Sequence, residues 1–327
     1  MTATETLCPL AGESRPAPDP AVAHERLFAW FADHGRDLPW RRTRDPYRVL
    51  VSEMMLQQTG VERVLPKYAA WLDRFPTPHD LAAAPRADVI RLWAGLGYNS
   101  RAVRLQEIAR QVVDHYGGKL PDTLDGLRSL KGIGPYTAGA VLCFAHERDA
   151  AFVDTNVRRV LTRVFVGPEG SYPPLTEREV YELADRALPR GHAWTWYQAL
   201  MDLGATVCVD ARPACLVCPL QGSCRAAFAA GRIARESRST YKAPRKEGPW
   251  QGSTRYYRGR VVAALGTLAP GERLGLPALL DRVKPEGDPA GPDDLAWLRD
   301  LVAHLAADGL AAMHETSAGD VEVSLPE

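Results

Sequence analysis

Between Leu124 and Phe144 the sequence sets two short helical stretches, "LDGLRSL" and "YTAGAVLCF", around the turn Gly132-Ile133-Gly134. No other feature narrows the possible folds so far. Glycine at both turn positions lets the backbone approach a partner closely, and the N–H groups at the start of the second helix point outward with partial positive charge. A DNA phosphate suits that geometry, gripped through its backbone without any reading of bases. A tight turn between two packed helices uses glycine for its dihedrals alone, so the surrounding chain has to decide.

Helical periodicity continues on both sides. Asp45 is a candidate N-cap with Pro46 in the first helical position, and Val49, Leu50, Leu56 and Val61 then recur on one face. Further helices are expected in "PRADVIRLWAGL", "SRAVRLQEIARQVVDHYGG" and "TNVRRVLTRVFV", while strand-like alternation is nearly absent up to Ala230. The fold class is therefore mostly α. Residues 1–20, with Pro16, Pro18 and Pro20, read as a disordered tail without the basic and apolar regions of a secretory signal. No apolar run approaches the roughly 20 residues of a membrane span, so a cytoplasmic location is expected.

A length of 327 residues suggests two or three domains, and a formal net charge of zero gives no global signal for nucleic acid. Charge is unevenly spread, however. From Gly231 to Arg260 nine basic residues stand against two acids, which marks 231–252 as a basic linker. From Val261 to Glu327 twelve acids face four basic residues, so that segment is expected to avoid phosphates, leaving DNA contact to the basic residues before it. Helical signals in "TRYYRGRVVAAL" and "DDLAWLRDLVAHLAADGL", then a hairpin signal in "HETSAGDVEVSLP", make 253–327 a small α+β module of winged-helix type.

Three groups carry chemistry. Cys208, Cys215, Cys218 and Cys224 supply four thiolates within 17 residues, a set suited to tetrahedral zinc or to a [4Fe–4S] cluster, and thiolate softness does not separate the two. Glu53 falls on the stripe of Val49, Leu50 and Leu56, so its carboxylate faces inward; it is either ion-paired with Arg36, Arg41 or Arg42 or a proton donor made by burial. Asp154 opens the amphipathic stretch "DTNVRRVLTRVF" as an N-cap, and a capping carboxylate still has a second oxygen to present to a ligand.

In order along the chain, "DLPWR", "SEMMLQQT", "WAGLGY", "LKGIGPYTAGAV", "VDTNVRRVL" and "QALMDLGATVC" resemble the helix–hairpin–helix DNA glycosylases of the endonuclease III superfamily, and within them the MutY-type adenine glycosylases. The resemblance spans 21–230. It implies a six-helix barrel over about 45–150 and an iron–sulfur domain built from 21–44 and 151–230, followed by a C-terminal module at 253–327 without the Nudix-like pattern usual in that family. A thymine/uracil mismatch glycosylase of the same superfamily is the nearest rival, and a non-catalytic iron–sulfur DNA-binding protein the next.

Carried over residue by residue, the resemblance implies that Glu53 protonates the adenine and Asp154 stabilises the cationic sugar. Tyr136 stands where bifunctional relatives carry a nucleophilic lysine, which implies little or no lyase activity. Arg36, Trp40, Arg41, Gln58 and Gln198 are assigned to the pocket of the flipped base, and Tyr98, Gly132 and Gly134 to DNA. Cys208, Cys215, Cys218 and Cys224 are assigned to a [4Fe–4S] cluster. The implied substrate is double-stranded DNA with adenine opposite 8-oxoguanine or guanine, bound by a monomer at the nucleoid. Tyr197 departs from the family pattern, where asparagine is common.

Overall fold

Capping groups set where the helices begin in the computed structural model, which describes residues 18–229, 252–284, 293–317 and 319–327. The expected tail up to residue 17 and residues 231–251 of the expected linker lie outside the described residues. In chain order the helices are α1 (Pro20–His34), α2 (Pro46–Leu56), α3 (Val61–Arg74), α4 (Pro78–Ala83), α5 (Arg86–Trp93), α6 (Ser100–Tyr116) and α7 (Leu124–Ser129). They continue with α8 (Pro135–His146), α9 (Thr155–Leu161), α10 (Glu177–Ala187), α11 (Ala193–Thr206), α12 (Thr254–Gly266), α13 (Leu276–Val283) and α14 (Asp294–Ala307). Asp45 accepts from the Tyr47 and Arg48 amides at 2.8 and 3.3 Å and opens α2, as the Asp–Pro pair predicts. Reciprocal capping boxes, Thr77 with Asp80 and Thr176 with Glu179, start α4 and α10. Among the described residues no helix is long and apolar enough to cross a membrane.

The chain divides into two units. One contains 18–49, 122–128 and 133–229 of the described residues. In it α1, α8 and α9 all pack on α11, and α10 packs on α9. Helix α8 is buried from Thr137 to Ala145. A Cβ on Gly139 would lie 2.7 Å from that of Phe152, so the missing side chain is what lets the two segments touch. After α9 the chain widens into a single π turn, Thr162–Val166, that delivers Arg163 to the cysteine-bearing loop.

The other unit contains 50–121, 129–132 and the described residues from 252 onward. Helices α4 and α5 pack on α6, and α3 packs on α5, with Trp71 and Trp93 meeting edge to face at 5.4 Å. The C-terminal elements run α12, β1 (Leu274–Gly275), α13, α14, β2 (Ala312–Glu315), β3 (Val321–Ser324). Their antiparallel sheet has the order β1-β3-β2, with Leu274 opposite Val323 and Met313 opposite Val323 on the other side. Val321 and Val323 point into the core, so the hairpin expected from "HETSAGDVEVSLP" forms, and the element order is that of a winged helix. Val261, Leu265, Leu279, Val302 and Leu305 share this core with Ile90 of α5 and Val103 of α6. Arg91 of α5 adds hydrogen bonds to the carbonyls of Gly266 at 3.3 Å and Leu268 at 3.0 Å. The C-terminal elements are thus packed onto α5 and α6.

Candidate active site and cysteine cluster

Helix α2 buries Tyr47 and every residue from Val49 to Met55, Glu53 included at 5 % exposure. The apolar stripe read from the sequence understates this, because the helix is enclosed on nearly all sides. Its C-terminal carbonyls are gathered by Arg101 of α6. The Arg101 guanidinium donates to Met54 O at 2.8 Å, Met55 O at 3.0 Å and Gln57 O, and to Thr59 Oγ1 at 2.9 Å. It also donates to Gly97 O at 3.1 Å and so joins α2 to the loop after α5. Burial draws this guanidinium down to about 10, still charged at neutral pH. Beyond the helix Gln58 is exposed with a left-handed backbone, φ +56°. In the linked loop Gly95, Gly97 and Tyr98 have φ of +92°, +73° and +46°, and Tyr98 is 43 % exposed. A left-handed tyrosine is uncommon and strained, and Arg101 helps to hold it, lying 5.5 Å from the Tyr98 ring centre.

The hairpin glycines play different parts. Gly132 has φ +111°, and a Cβ there would sit 2.7 Å from Arg104 Cγ, so dihedral and packing both demand glycine. Gly134, the N-cap of α8, is extended at φ −87°, and a Cβ on it would meet nothing. Neither fold geometry nor packing requires glycine there, and its bareness keeps the start of α8 open to close approach. Gln111 of α6 clamps the turn, donating to Lys131 O at 3.2 Å and accepting from Lys131 N at 2.8 Å.

Asp154 caps α9 as expected. Its Oδ1 accepts the Val157 amide at 2.6 Å, and its Oδ2 accepts from Asn156 Nδ2 at 3.2 Å. Burial pushes its pKa above the ordinary carboxylate value, against the lowering effect of those two donors. Asn156 in turn accepts from Arg159 at 2.7 Å, and Arg159 donates to the carbonyls of Gly204 and Cys208, each at 2.7 Å. Gly204 permits this approach, since a Cβ would stand 2.7 Å from Asn156 Cβ. Tyr136, partly buried at the start of α8, packs edge-on to Phe152 with ring centres 5.6 Å apart. Tyr197 stacks on Phe152 at 3.9 Å and accepts the Phe152 amide at 3.2 Å, which gives a physical use for a tyrosine at that place.

Arg36 and Arg41 converge on Asp202, a fully buried carboxylate on α11 that sequence reasoning did not single out. Arg41 binds it two-pronged, Nη1 to Oδ2 at 2.8 Å and Nη2 to Oδ1 at 2.7 Å, while Arg36 donates its backbone N–H at 2.9 Å and Nε at 2.7 Å. Arg42 pairs with Asp37 on the surface. Each of the three arginines offered as partners for Glu53 therefore has a carboxylate of its own elsewhere. Trp40, in the short turn Pro39–Arg41, and Gln198, on α11, are buried in the same unit as this clamp.

Cys208, Cys215, Cys218 and Cys224 line one cavity whose remaining walls include Val160, Val164, Leu203 and Val207. No disulfide joins them. Burial pushes the Cys218 thiol up to about 11 and the Cys224 thiol to about 12, and also raises Cys208. Among the described residues no group of three or more His, Cys, Asp or Glu side chains is arranged to hold a metal ion. Arg163 organises the rim, donating to Cys208 Sγ at 3.7 Å and to the carbonyls of Val209 and Asp210 at 2.8 and 2.9 Å. Its own carbonyl accepts from Cys224 Sγ at 3.3 Å.

The Gly132–Gly134 turn, the bare start of α8, the cap at Asp154 and the four-cysteine cavity together make up the candidate site. The family model for HhH-GPD superfamily base excision DNA repair proteins matches residues 51–186. The adenine DNA glycosylase of Mycolicibacterium smegmatis is 41% identical over 249 residues, covering 75% of this chain and 80% of that protein. The human adenine DNA glycosylase is 44% identical over 210 residues, covering 61% of this chain and 38% of that protein. Among solved structures, a thermostable thymine-DNA glycosylase superposes with a TM-score of 0.59 at 33% identity over 63% of this chain and 94% of its own. The chain belongs to the adenine DNA glycosylase family.

Proposed function

We propose that the protein removes adenine opposite 8-oxoguanine or guanine in duplex DNA by hydrolysing its N-glycosidic bond. The observation that carries this is the 41% identity to the mycolicibacterial adenine glycosylase across 80% of that protein. The base must leave the stack before its glycosidic bond is reachable. Glu53, kept dry on α2, donates a proton to the adenine ring and makes it a better leaving group. As the bond to C1′ breaks, the sugar becomes cationic, and the Asp154 oxygen not engaged by the Val157 amide stabilises that charge. Water adds to C1′ and its proton is returned to a carboxylate, leaving free adenine and an abasic sugar.

Trp40, Gln58 and Gln198 are assigned to the extruded base. Arg36 and Arg41 act through Asp202, holding the segment around Trp40 against α11. Tyr136 is assigned to hydrogen-bond Asp154 and hold it ionised and, lacking an amine, forms no Schiff base, so strand cleavage is absent or weak. Tyr98 wedges the duplex while Gly132 and Gly134 grip its backbone. Cys208, Cys215, Cys218 and Cys224 would hold a [4Fe–4S] cluster, which would clip the 208–224 loop onto α9 and α11. Residues 253–327 are assigned to a C-terminal module without a Nudix-like pattern, and the protein acts as a monomer.

Glu53→Gln tests the acid directly. It is expected to bind a duplex with adenine opposite 8-oxoguanine at wild-type affinity and to excise at less than about 1% of the wild-type rate, given the 10²–10⁴-fold worth of general acid catalysis. Wild-type excision by this variant would remove Glu53 from the mechanism.

A further inference from the structure

Three arginines rise from α12, and they are used differently. Arg258 pairs with Asp308, and Arg260 donates to the carbonyls of Arg282 at 3.1 Å and Lys284 at 3.3 Å, so both tie the C-terminal elements together. Arg255, in the first turn and exposed, reaches instead to the loop after α5. Its Nη1 donates to the Tyr98 hydroxyl at 3.0 Å, and its guanidinium carbon lies 5.5 Å from the centre of the Tyr98 ring. Arg101 lies at the same distance from that ring. Tyr98 therefore has two guanidinium groups about it, one buried in its own α6 and one brought by an element 157 residues away.

This placement is fixed by packing. The core shared by α12, α13 and α14 includes Ile90 and Val103, and Arg91 fastens the end of α12 through Gly266 and Leu268. The first turn of α12 is thereby held beside Gly95–Tyr98, a loop with three left-handed positions whose own backbone does little to restrain an exposed phenol. The acidic stretch that disfavours phosphate begins only after Arg260, so charge does not bar Arg255 from a duplex edge.

We propose that Arg255 is a positioning residue for Tyr98: it sets the phenol for insertion into the duplex, and so makes the C-terminal module part of the mispair-engaging surface. The proposal rests on the assignment of Tyr98 to DNA made above. A charge-assisted hydrogen bond together with a partly exposed cation–π contact predicts about a five- to tenfold effect.

The experiment is a double-mutant cycle in the full-length protein with Arg255→Ala, Tyr98→Ala and the pair. Two quantities are read: single-turnover excision of adenine opposite 8-oxoguanine, and fluorescence of a 2-aminopurine placed beside the 8-oxoguanine, which brightens when Tyr98 unstacks it. Arg255→Ala is expected to lower excision five- to tenfold and to dim the 2-aminopurine signal, with no further loss in the Tyr98→Ala background and an unchanged melting temperature. Arg255→Lys should recover only part, since an ammonium cannot both donate to the hydroxyl and lie flat on the ring. Equal losses in both backgrounds would make Arg255 an independent phosphate contact and overturn the proposal, as would an unchanged Arg255→Ala variant. Wild-type behaviour of Tyr98→Ala would overturn the Tyr98 assignment and the proposal with it, while a wild-type protein inactive on this duplex would show the failure of the functional reading itself.

Discussion

Asp202→Ala takes a fully buried carboxylate from between two guanidinium groups. The magnitude follows from what each arginine has left. Arg36 is 32% exposed and can turn to water, but Arg41 is 7% exposed and keeps a buried charge with no carboxylate opposite it. Removing one partner of a buried pair costs about 3–5 kcal/mol. At roughly 2–4 °C per kcal/mol for a unit of this size, the melting temperature should fall by roughly 6–20 °C. Arg36→Met should shift it less, because Arg41 still neutralises Asp202. The pH dependence has a definite sign. Burial opposes ionisation of Asp202, yet Arg41 and Arg36 outweigh it and hold its pKa below the ordinary value. Its stabilisation is therefore complete above the unfolded pKa of about 3.9 and is lost as the pH falls through the depressed native value. Thermal melts of wild type, Asp202→Ala, Asp202→Asn and Arg36→Met followed by circular dichroism at pH 7 and at steps from pH 4 down to pH 2 read all of this. An Asp202→Ala protein melting within about 2 °C of wild type at pH 7 would show that the clamp does not hold α11 to the segment 36–41.

Asp154 behaves in the opposite sense. Its raised pKa means that the ionised form is penalised in the fold, a penalty absent at low pH and growing as the pH rises through the native value. Asparagine caps a helix as well as aspartate does, so Asp154→Asn should melt at or above the wild-type temperature at pH 7, lose that advantage near pH 3, and be inactive in excision; a variant that melts lower at pH 7 contradicts the assigned strain. Tyr136→Lys places an amine at the start of α8, and borohydride should then trap a covalent adduct with a substrate duplex; a folded, DNA-binding variant without any adduct would count against the role given to Tyr136. Anaerobically purified protein should contain iron and sulfide in near-equal amounts and lose its thermal stability on chelation, whereas stoichiometric zinc would replace the cluster assignment and leave Glu53 and Asp154 untouched.

Local signals were legible and distant ones were not. Asp45–Pro46, the Gly132–Gly134 turn, the Asp154 cap and the β2–β3 hairpin are each written within a few neighbouring residues, and each forms as read. The four-cysteine spacing pointed to one ligand set, and the four thiols do line one cavity. Asp202 escaped notice because its partners lie 161 and 166 residues away. The available signal was a lone acid inside the apolar run "QALMDLG". Arg101 carries no local mark of its role within the expected helix "SRAVRLQEIARQVVDHYGG", yet, buried against the end of α2, it serves six acceptors. Helix α13 and the two-residue β1 are too short for periodicity to declare them. The contact between Arg255 and Tyr98 depends on how the C-terminal core seats on α5 and α6, which no local pattern encodes.

The central claim is that the excised base is adenine. It is tested by incubating the protein with four otherwise identical duplexes, carrying adenine or thymine opposite guanine or 8-oxoguanine, and counting alkali-labile strand breaks under single-turnover conditions. The account predicts breaks at adenine in both contexts, none at thymine, and little cleavage before alkali is added. Breaks at thymine opposite guanine with adenine left intact would contradict it and assign the chain to mismatched pyrimidines.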